Sequence, residues 1–120
     1  MTTTIRAATD ADWSAILAIV RPVLAAGETY AIDPDLDDAA IRAYWMMPAH
    51  EVFVAEQDGR IAGTYYLMAN QGGGGSHVAN CGYMTAPESR GKGIARAMCL
   101  HSLERARQRG FRSMQFNHVV

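Results

Sequence analysis

The residue types that hold a phosphate come together in one segment, Arg90-Gly91-Lys92-Gly93-Ile94-Ala95. It follows a short apolar run typical of a strand and precedes an amphipathic segment typical of a helix. The start of such a helix has backbone N–H groups without intrahelical acceptors and carries partial positive charge, so it stabilises an anion. The alternative is a glycine-containing turn with solvated basic side chains, because short glycine motifs recur by chance.

A second glycine-rich segment, residues 71–76, is a weaker candidate. A phosphate-binding loop needs a helix after it and a basic residue beside it. The sequence predicts neither at this position. We therefore interpret residues 71–76 as a flexible connection.

Composition describes one globular domain over residues 1–120, with 49% hydrophobic and 19% charged residues. The net charge is −1, so no overall basic field would attract nucleic acid. No signal-peptide core and no apolar run of membrane-spanning length is found, and we expect no membrane partner. The only cysteines, Cys81 and Cys99, fall in apolar runs, which favours buried thiols and a cytoplasmic protein.

The first half of the chain predicts one strand and two helices. The strand covers Thr3–Ala7, and a capping-box pattern over residues 9–12 then opens a helix. Pro22 lies inside this helix and removes a backbone hydrogen bond, so we expect a kink or an end there. A second helix is predicted to begin within residues 35–38 and to end before Pro48.

The second half of the chain favours strands around one helix. Two short apolar runs are joined through Asp58-Gly59, the dipeptide of a tight hairpin, and a further strand is predicted over residues 77–86. After Gly93 the apolar residues repeat at helical spacing as far as Gly110. A last strand is predicted over residues 113–119.

The predicted order is strand, helix, helix, three strands, helix, strand. It is typical of an α/β protein in which helices pack on a mixed sheet. The fourth strand, the next helix and the last strand form a crossover unit, so these two strands should be parallel neighbours.

The candidate phosphate loop resembles the signature of a known family. In the GNAT superfamily of N-acetyltransferases, a Q/R-x-x-G-x-G/A motif links the fourth strand to the next helix, and its fixed positions match Arg90, Gly93 and Ala95. A proline before the arginine and an Arg-Gly-Phe sequence at the helix end are also similar, here Pro87 and residues 109–111. The resemblance covers essentially the whole chain and implies a GNAT-like α/β (α+β) fold with a mixed, centrally split β-sheet flanked by helices.

The resemblance implies an enzyme that moves the acetyl group of acetyl-CoA to the amine of a small or amino-acid-like molecule. The residues expected to bind the CoA pyrophosphate are Arg90, Gly91, Lys92, Gly93, Ile94 and Ala95. The pantetheine arm is expected beside Tyr83, Met84 and Thr85. A backbone N–H near Met84 would then stabilise the oxyanion of the tetrahedral intermediate.

An amine attacks only when neutral, so a base must remove its proton. The candidates are Glu28, between the first two helices, His77, after the glycine run, and His118, near the end of the last strand. Glu28, Tyr30 and Asn117 are candidate substrate contacts. The alternative in each case is a solvent-facing or structural side chain.

No metal site is predicted, because the four histidines show no spacing typical of metal ligands. His50 falls at the start of a predicted strand and His101 on a predicted helix. We expect both on the surface of the protein.

GNAT proteins usually continue after the fifth strand with a further helix and strands, and the helix often carries a tyrosine that protonates the leaving thiolate. This chain ends at Val120. We expect either a truncated form of a longer protein or a partner chain, such as a second copy in a homodimer, that covers the last strand. A non-catalytic CoA-binding or regulatory module with the same fold is the alternative function.

Overall fold

The computed structural model describes residues 2–25, 37–69, 78–89, 91–111 and 113–119, the last of these by their backbone alone. Within these residues the strands are β1 (Thr3–Ala7), β2 (Glu51–Gln57), β3 (Arg60–Ala69), β4 (Val78–Thr85) and β5 (Ser113–Val119). The helices are α1 (Trp13–Ala25), α2 (Asp38–Trp45) and α3 (Ile94–Gln108). Single 3₁₀ turns at Asp10–Asp12 and Pro87–Ser89 precede α1 and α3. The predicted order of elements is confirmed.

The strands form one sheet whose spatial order is the chain order, β1-β2-β3-β4-β5. The first four strands are antiparallel to their neighbours, and β5 is parallel to β4. The parallel pair results from the crossover through α3, which returns the chain to the same edge of β4. The predicted mixed sheet is thereby confirmed.

Both faces of the sheet are buried, because side chains on a strand alternate between the two faces. The face under α1 and α2 includes Val52, Val54, Tyr66 and Met84. The face under α3 includes Phe53, Tyr65, Leu67, Cys81 and Tyr83. The helices thus form one layer on each side of the sheet. Among the described helices, α1 and α2 cover one face and α3 alone covers the other.

The start of α3 lies very close to the backbone of β3. An ideal Cβ atom on Gly63 would be 2.9 Å from Cγ2 of Ile94 and 3.0 Å from Cε of Met98. Real Cβ atoms do not approach carbon atoms to 2.9 Å, so a larger residue at position 63 would displace the side chains of Ile94 and Met98. Gly63 therefore lets the first turns of α3 pack directly on the backbone of β3.

The helix α1 does not end at Pro22, where the sequence predicts a kink or an end, but runs to Ala25. A proline inside a helix costs about 3 kcal/mol. Val23 and Leu24 each remain only 1% exposed, and burial of two such side chains stabilises by about the same amount or more. Packing against the sheet therefore outweighs the lost hydrogen bond.

The turn between β2 and β3 has the geometry that its sequence predicts. Asp58 has φ 55° and Gly59 has φ 77°, and two successive positive φ values define the type I′ turn of a two-residue hairpin. This turn fixes the ends of β2 and β3 beside the loop that precedes α3.

Candidate functional site

The loop between β4 and α3 contains two glycines in the left-handed conformation, Gly91 with φ 81° and Gly93 with φ 78°. Side-chain-bearing residues reach this conformation only at a cost. An ideal Cβ atom on either glycine would have no described atom within 4 Å. The backbone of the loop therefore faces open space rather than packed protein.

The helix α3 begins without a side-chain cap, because its N-cap residue is Gly93. The first intrahelical bond runs from the N–H of Ala97 to the carbonyl of Gly93 at 3.0 Å, so the N–H groups before Ala97 have no acceptor within the helix. The first turn contains no acidic residue, and Lys92 and Arg96 are exposed beside it. This helix start lacks the anionic or polar cap that helices favour, which makes it a candidate site for an external anion.

A cavity of about 240 Å³ lies against the start of α3. Its lining includes Thr85 at the end of β4, Ser89 in the 3₁₀ turn, and Gly91, Gly93 and Ala95 from the loop and the first turn. Thr85 is only 4% exposed, and its hydroxyl has no hydrogen-bond partner among the described residues. A buried hydroxyl without a partner costs free energy, which a polar group bound in the cavity would recover.

At the end of β4, every second backbone N–H group points away from the antiparallel neighbour β3. The N–H of Ala86 donates to the carbonyl of Ala62 at 2.8 Å. Because these directions alternate along a strand, the N–H of Met84 also faces β3, whereas those of Tyr83 and Thr85 face the side of β5. Pairing with β5 is described as far as Tyr83, and Thr85 lies beyond it. Thr85 therefore lines the cavity, and its N–H lies beyond that last described pair.

The side chains of Tyr83 and Met84 are buried on opposite faces of the sheet, each 1% exposed. The Tyr83 hydroxyl lies 2.5 Å from Oγ of Ser102 on α3, and burial raises the pKa of this phenol above its usual range. The phenol therefore stays protonated and fixes α3 to β4. A ligand along β4 can contact these two residues only through their backbone.

Four predicted site residues lie outside the described residues: Glu28, Tyr30, His77 and Arg90. Their roles stay predictions. The same is true of the glycine run at residues 71–76, which falls outside the described residues as well.

Asn117 and His118 lie on β5, where the backbone alone is described. Cys81 pairs with Phe116 and Gly82 with His118, so the register shifts and Asn117 is an extra residue on β5. This irregularity is a β-bulge, a feature that redirects side chains next to active sites. The two predicted residues are thus placed opposite the middle of β4, and their roles stay predictions.

His50 is half-buried in an aromatic cluster, whereas the sequence predicts a surface position. Its ring stacks on Tyr66 with centroids 3.9 Å apart and planes 5° from parallel. Its Nδ1 lies 3.0 Å from the carbonyl of Trp45, and Tyr44 packs against it edge-on. The short connection between α2 and β2 explains the difference, because it holds His50 against Tyr44 and Trp45 of α2 and against Tyr66 of β3.

His101 also differs from its predicted surface position. Its Nδ1 lies 2.6 Å from the hydroxyl of Tyr65, and its ring meets Phe53 edge-on. Burial is the main reason that the pKa of His101 lies below its ordinary value, followed by the charge of Arg105. His101 therefore belongs to the packing between α3 and the sheet rather than to the cavity.

The loop, the uncapped helix and the mixed sheet occur together in one known family. The family model described as "Acetyltransferase (GNAT) family" matches residues 16–120, which include α2, β2 to β5 and the whole cavity. The chain belongs to the GNAT acetyltransferase family. The predicted membership of the GNAT superfamily is confirmed in this way, as is the GNAT fold.

Solved GNAT structures superimpose on nearly the whole chain. A GCN5-related N-acetyltransferase from Kribbella flavida is 42% identical, with a TM-score of 0.88 over 96% of this chain and 71% of that one. A GNAT superfamily phosphinothricin acetyltransferase from Sinorhizobium meliloti, in complex with AcCoA, is 27% identical, with a TM-score of 0.80 over 97% of this chain and 65% of that one.

A curated relative is the N-acetyltransferase aca1 of Schizosaccharomyces pombe, 35% identical over 74 residues. The match covers 60% of this chain and 35% of aca1, so the chain spans about a third of the length of this relative.

Three further findings concern the described part of the chain. Within it, no three His, Cys, Asp or Glu side chains are grouped so that they could hold a metal ion. None of its helices has the length and apolar character needed to cross a bilayer. Both cysteines are free thiols; Cys81 is buried as the sequence predicts, whereas Cys99, also predicted to be buried, is only half-buried on α3.

We expect His50→Gln to reduce the loss of stability that the GNAT domain undergoes in mild acid. Burial lowers the pKa of His50, so the unfolded chain takes up the proton first. This contribution to the free energy of unfolding is complete above the ordinary imidazole pKa of about 6.5 and is lost as the pH falls below it. Urea unfolding about one pH unit above and below that value measures the effect. His101 contributes equally to both proteins, and identical pH dependence in both would contradict the prediction.

Proposed function

We propose that this protein transfers the acetyl group of acetyl-CoA to the amine of a small or amino-acid-like molecule. The observation that carries the proposal is the cavity at the start of α3, where Gly93 leaves the helix uncapped and Thr85 has an unpartnered hydroxyl. Membership of the GNAT family supports the reaction type. The related phosphinothricin acetyltransferase, solved in complex with AcCoA, supports the donor.

The start of α3 suits the pyrophosphate of CoA. The backbone N–H groups from Gly91 to Ala95 would donate to the phosphate oxygens, and Arg90 and Lys92 would add positive charge. Hydrogen bonds to a charged group contribute about 1.5–3 kcal/mol each. The open space in front of Gly91 and Gly93 leaves room for the phosphates, so the residues present fit this group.

The end of β4 would hold the pantetheine arm through backbone contacts. Acetyl-CoA supplies a thioester carbonyl on which negative charge develops during acetyl transfer. The N–H of Met84 is directed toward β3 and that of Tyr83 toward its paired strand β5, so we assign the expected oxyanion donor to the N–H of Thr85, which lies beyond the last described pair. A donor of this kind contributes about 3–4 kcal/mol to stabilising a transition state.

The acceptor amine must lose a proton before or during attack, because an alkylammonium has a pKa near 10. We propose Glu28, His77 and His118 as the candidate bases, and Tyr30 and Asn117 as contacts for the acceptor. The backbone of His118 lies opposite Gly82, at the β-bulge in the middle of the β4–β5 pair. This position supports a role at the reacting end of the pantetheine arm.

Acetyl transfer is tested directly by thiol release. With acetyl-CoA and a panel of amines beginning with the amino acid analogue phosphinothricin, we expect free CoA to appear faster than without an acceptor. A thiol reagent that changes absorbance follows the reaction. Binding of acetyl-CoA without release for any amine would favour the non-catalytic CoA-binding module, and no binding at all would contradict the site.

Thr85→Val should lower the affinity for acetyl-CoA about tenfold, the size of one lost hydrogen bond, without destabilising the free protein. The reason is that the Thr85 hydroxyl has no partner among the described residues until a ligand provides one. Thr64→Val is the matched control, because this hydroxyl accepts from Nε1 of Trp45 and donates to the carbonyl of Phe53. It should cost about 1–3 kcal/mol of stability and leave the affinity unchanged. Calorimetric titration measures the affinity and urea unfolding the stability of each variant. Lower stability of Thr85→Val together with weaker binding by Thr64→Val would contradict the assignment.

Gly93→Leu should abolish detectable binding of acetyl-CoA while the protein stays folded. The side chain would enter the space that the phosphates need, and the left-handed backbone adds about 1–2 kcal/mol of strain. Gly110→Leu is the matched control, since Gly110 has φ 84° and open space around it but ends α3 far along the helix from the cavity. Equal binding by both variants would argue against a phosphate site at Gly93.

A further inference from the structure

Gln57 is a buried polar residue next to the loop that precedes α3. It ends β2 and is only 6% exposed. Side chains alternate along the strand, so Gln57 shares the sheet face of Phe53 and Ala55, which α3 covers. A buried amide is costly unless its N–H groups are hydrogen-bonded, so its partners indicate what it does.

The side-chain amide of Gln57 joins three separate parts of the chain. Its Nε2 donates to Oγ1 of Thr3 on β1 at 3.0 Å and to the backbone carbonyl of Lys92 at 3.3 Å. A primary amide has two N–H protons, and both are used here. Gln57 is itself fixed by strand pairing with Thr3 on one side and Arg60 on the other. It is therefore a rigid donor to the loop.

The orientation of the Lys92 carbonyl determines the direction of the next N–H group. In a trans peptide the C=O and the following N–H point in opposite directions, and no cis peptide occurs among the described residues. Because the Lys92 carbonyl points to Gln57, the N–H of Gly93 points away from it. Gly93 lines the cavity at the start of α3, and Gln57 does not. The hydrogen bond therefore directs an N–H group to the cavity side.

The held peptide lies between two glycines of the loop. Gly91 and Gly93 flank Lys92 in left-handed conformations, and glycine rotates its backbone at low cost. A rotated peptide would turn the Lys92 carbonyl oxygen toward the cavity, where its partial negative charge would repel an anion. The orientation of one peptide thus decides whether the loop attracts or repels phosphate.

We propose that Gln57 is a positioning residue for the anion-binding loop, which holds the Lys92–Gly93 peptide with its N–H rather than its carbonyl toward the CoA pyrophosphate. The identity of the ligand rests on the proposed function, whereas the orientation of the peptide is a property of the free protein. Gln57 acts through Lys92 and does not touch the ligand.

Gln57→Met tests this role, because it keeps the length of the side chain and removes both donors. In the free variant we expect the backbone amide resonance of Gly93 to shift in NMR spectra, since the peptide is no longer held. The Kd for acetyl-CoA, measured by calorimetry, should rise about tenfold.

Thr3→Val is the matched control, because it removes the other partner of the same amide and keeps the bond to Lys92. Its Gly93 resonance should match the wild type and its Kd should stay within about twofold, whatever stability it loses. An equal rise in Kd for both variants would mean that Gln57 acts only through stability and would overturn the proposal. An unchanged Gly93 resonance in Gln57→Met would overturn it as well.

Gln57→Glu provides the same test if Gln57→Met does not fold. The new carboxyl can donate to the Lys92 carbonyl only when protonated, so its Kd relative to the wild type should fall as the pH decreases. A ratio independent of pH would overturn the proposal. Failure of the proposed function is distinguishable: the wild type would then bind no acetyl-CoA, while the Gly93 resonance would still separate Gln57→Met from Thr3→Val.

Discussion

The contact between the first turn of α3 and β3 is the constraint on which the rest of the structure depends. Ile94 is the first residue of α3, it is 1% exposed, and its side chain packs directly on the backbone of Gly63 in β3. Because the helix is anchored at its first residue, the N–H groups in front of it keep a fixed position and direction. A helix anchored only further along would fray at this end, and its N–H groups would not form a defined site.

Polar contacts hold the remainder of α3 in the same orientation. The Tyr83 hydroxyl meets Ser102 in the middle of the helix, and Arg105 donates to both carboxylate oxygens of Glu51 at 2.9 and 2.7 Å. The hydrogen bond from Arg105 is the main reason that the pKa of Glu51 lies below its ordinary value. These groups are partly exposed, so they add little to the stability of the protein. Their main effect is to fix the orientation of α3 on the sheet. The local positive charge of the helix start thus stays in one place on a protein whose net charge is −1.

The elements of the fold could be predicted from the sequence because each has a local signal. The period of the apolar residues identified α3, the Asp58-Gly59 dipeptide identified the hairpin, and the last strand occupies residues 113–119 as predicted. Pro22 also gave a local signal, but tertiary packing outweighed it. The order of strand, glycine loop and helix, from which the candidate anion site was inferred, is again a local signal and is confirmed.

The residues that tune the site could not be predicted, because their partners are distant in sequence. Gln57 appears in the sequence only as the end of a strand, and its contact with Lys92 joins residues 35 positions apart. The buried hydroxyl of Thr85 is informative only because its residue lines a cavity. The environment of His50 depends on the ring of Tyr66, which lies on another strand. Each depends on strand register and helix height, which no single segment encodes.

The agreement between sheet order and chain order has a consequence for the folding pathway. The strands β2, β3 and β4 pair with their sequence neighbours, so their contacts close comparatively short loops. The outer strands differ, since β1 joins β2 across about 50 residues and β5 returns to β4 only after α3 has formed. We therefore expect β2, β3 and β4 to assemble first and the outer strands β1 and β5 to pair late. The start of α3 then acquires its final geometry in the last steps of folding.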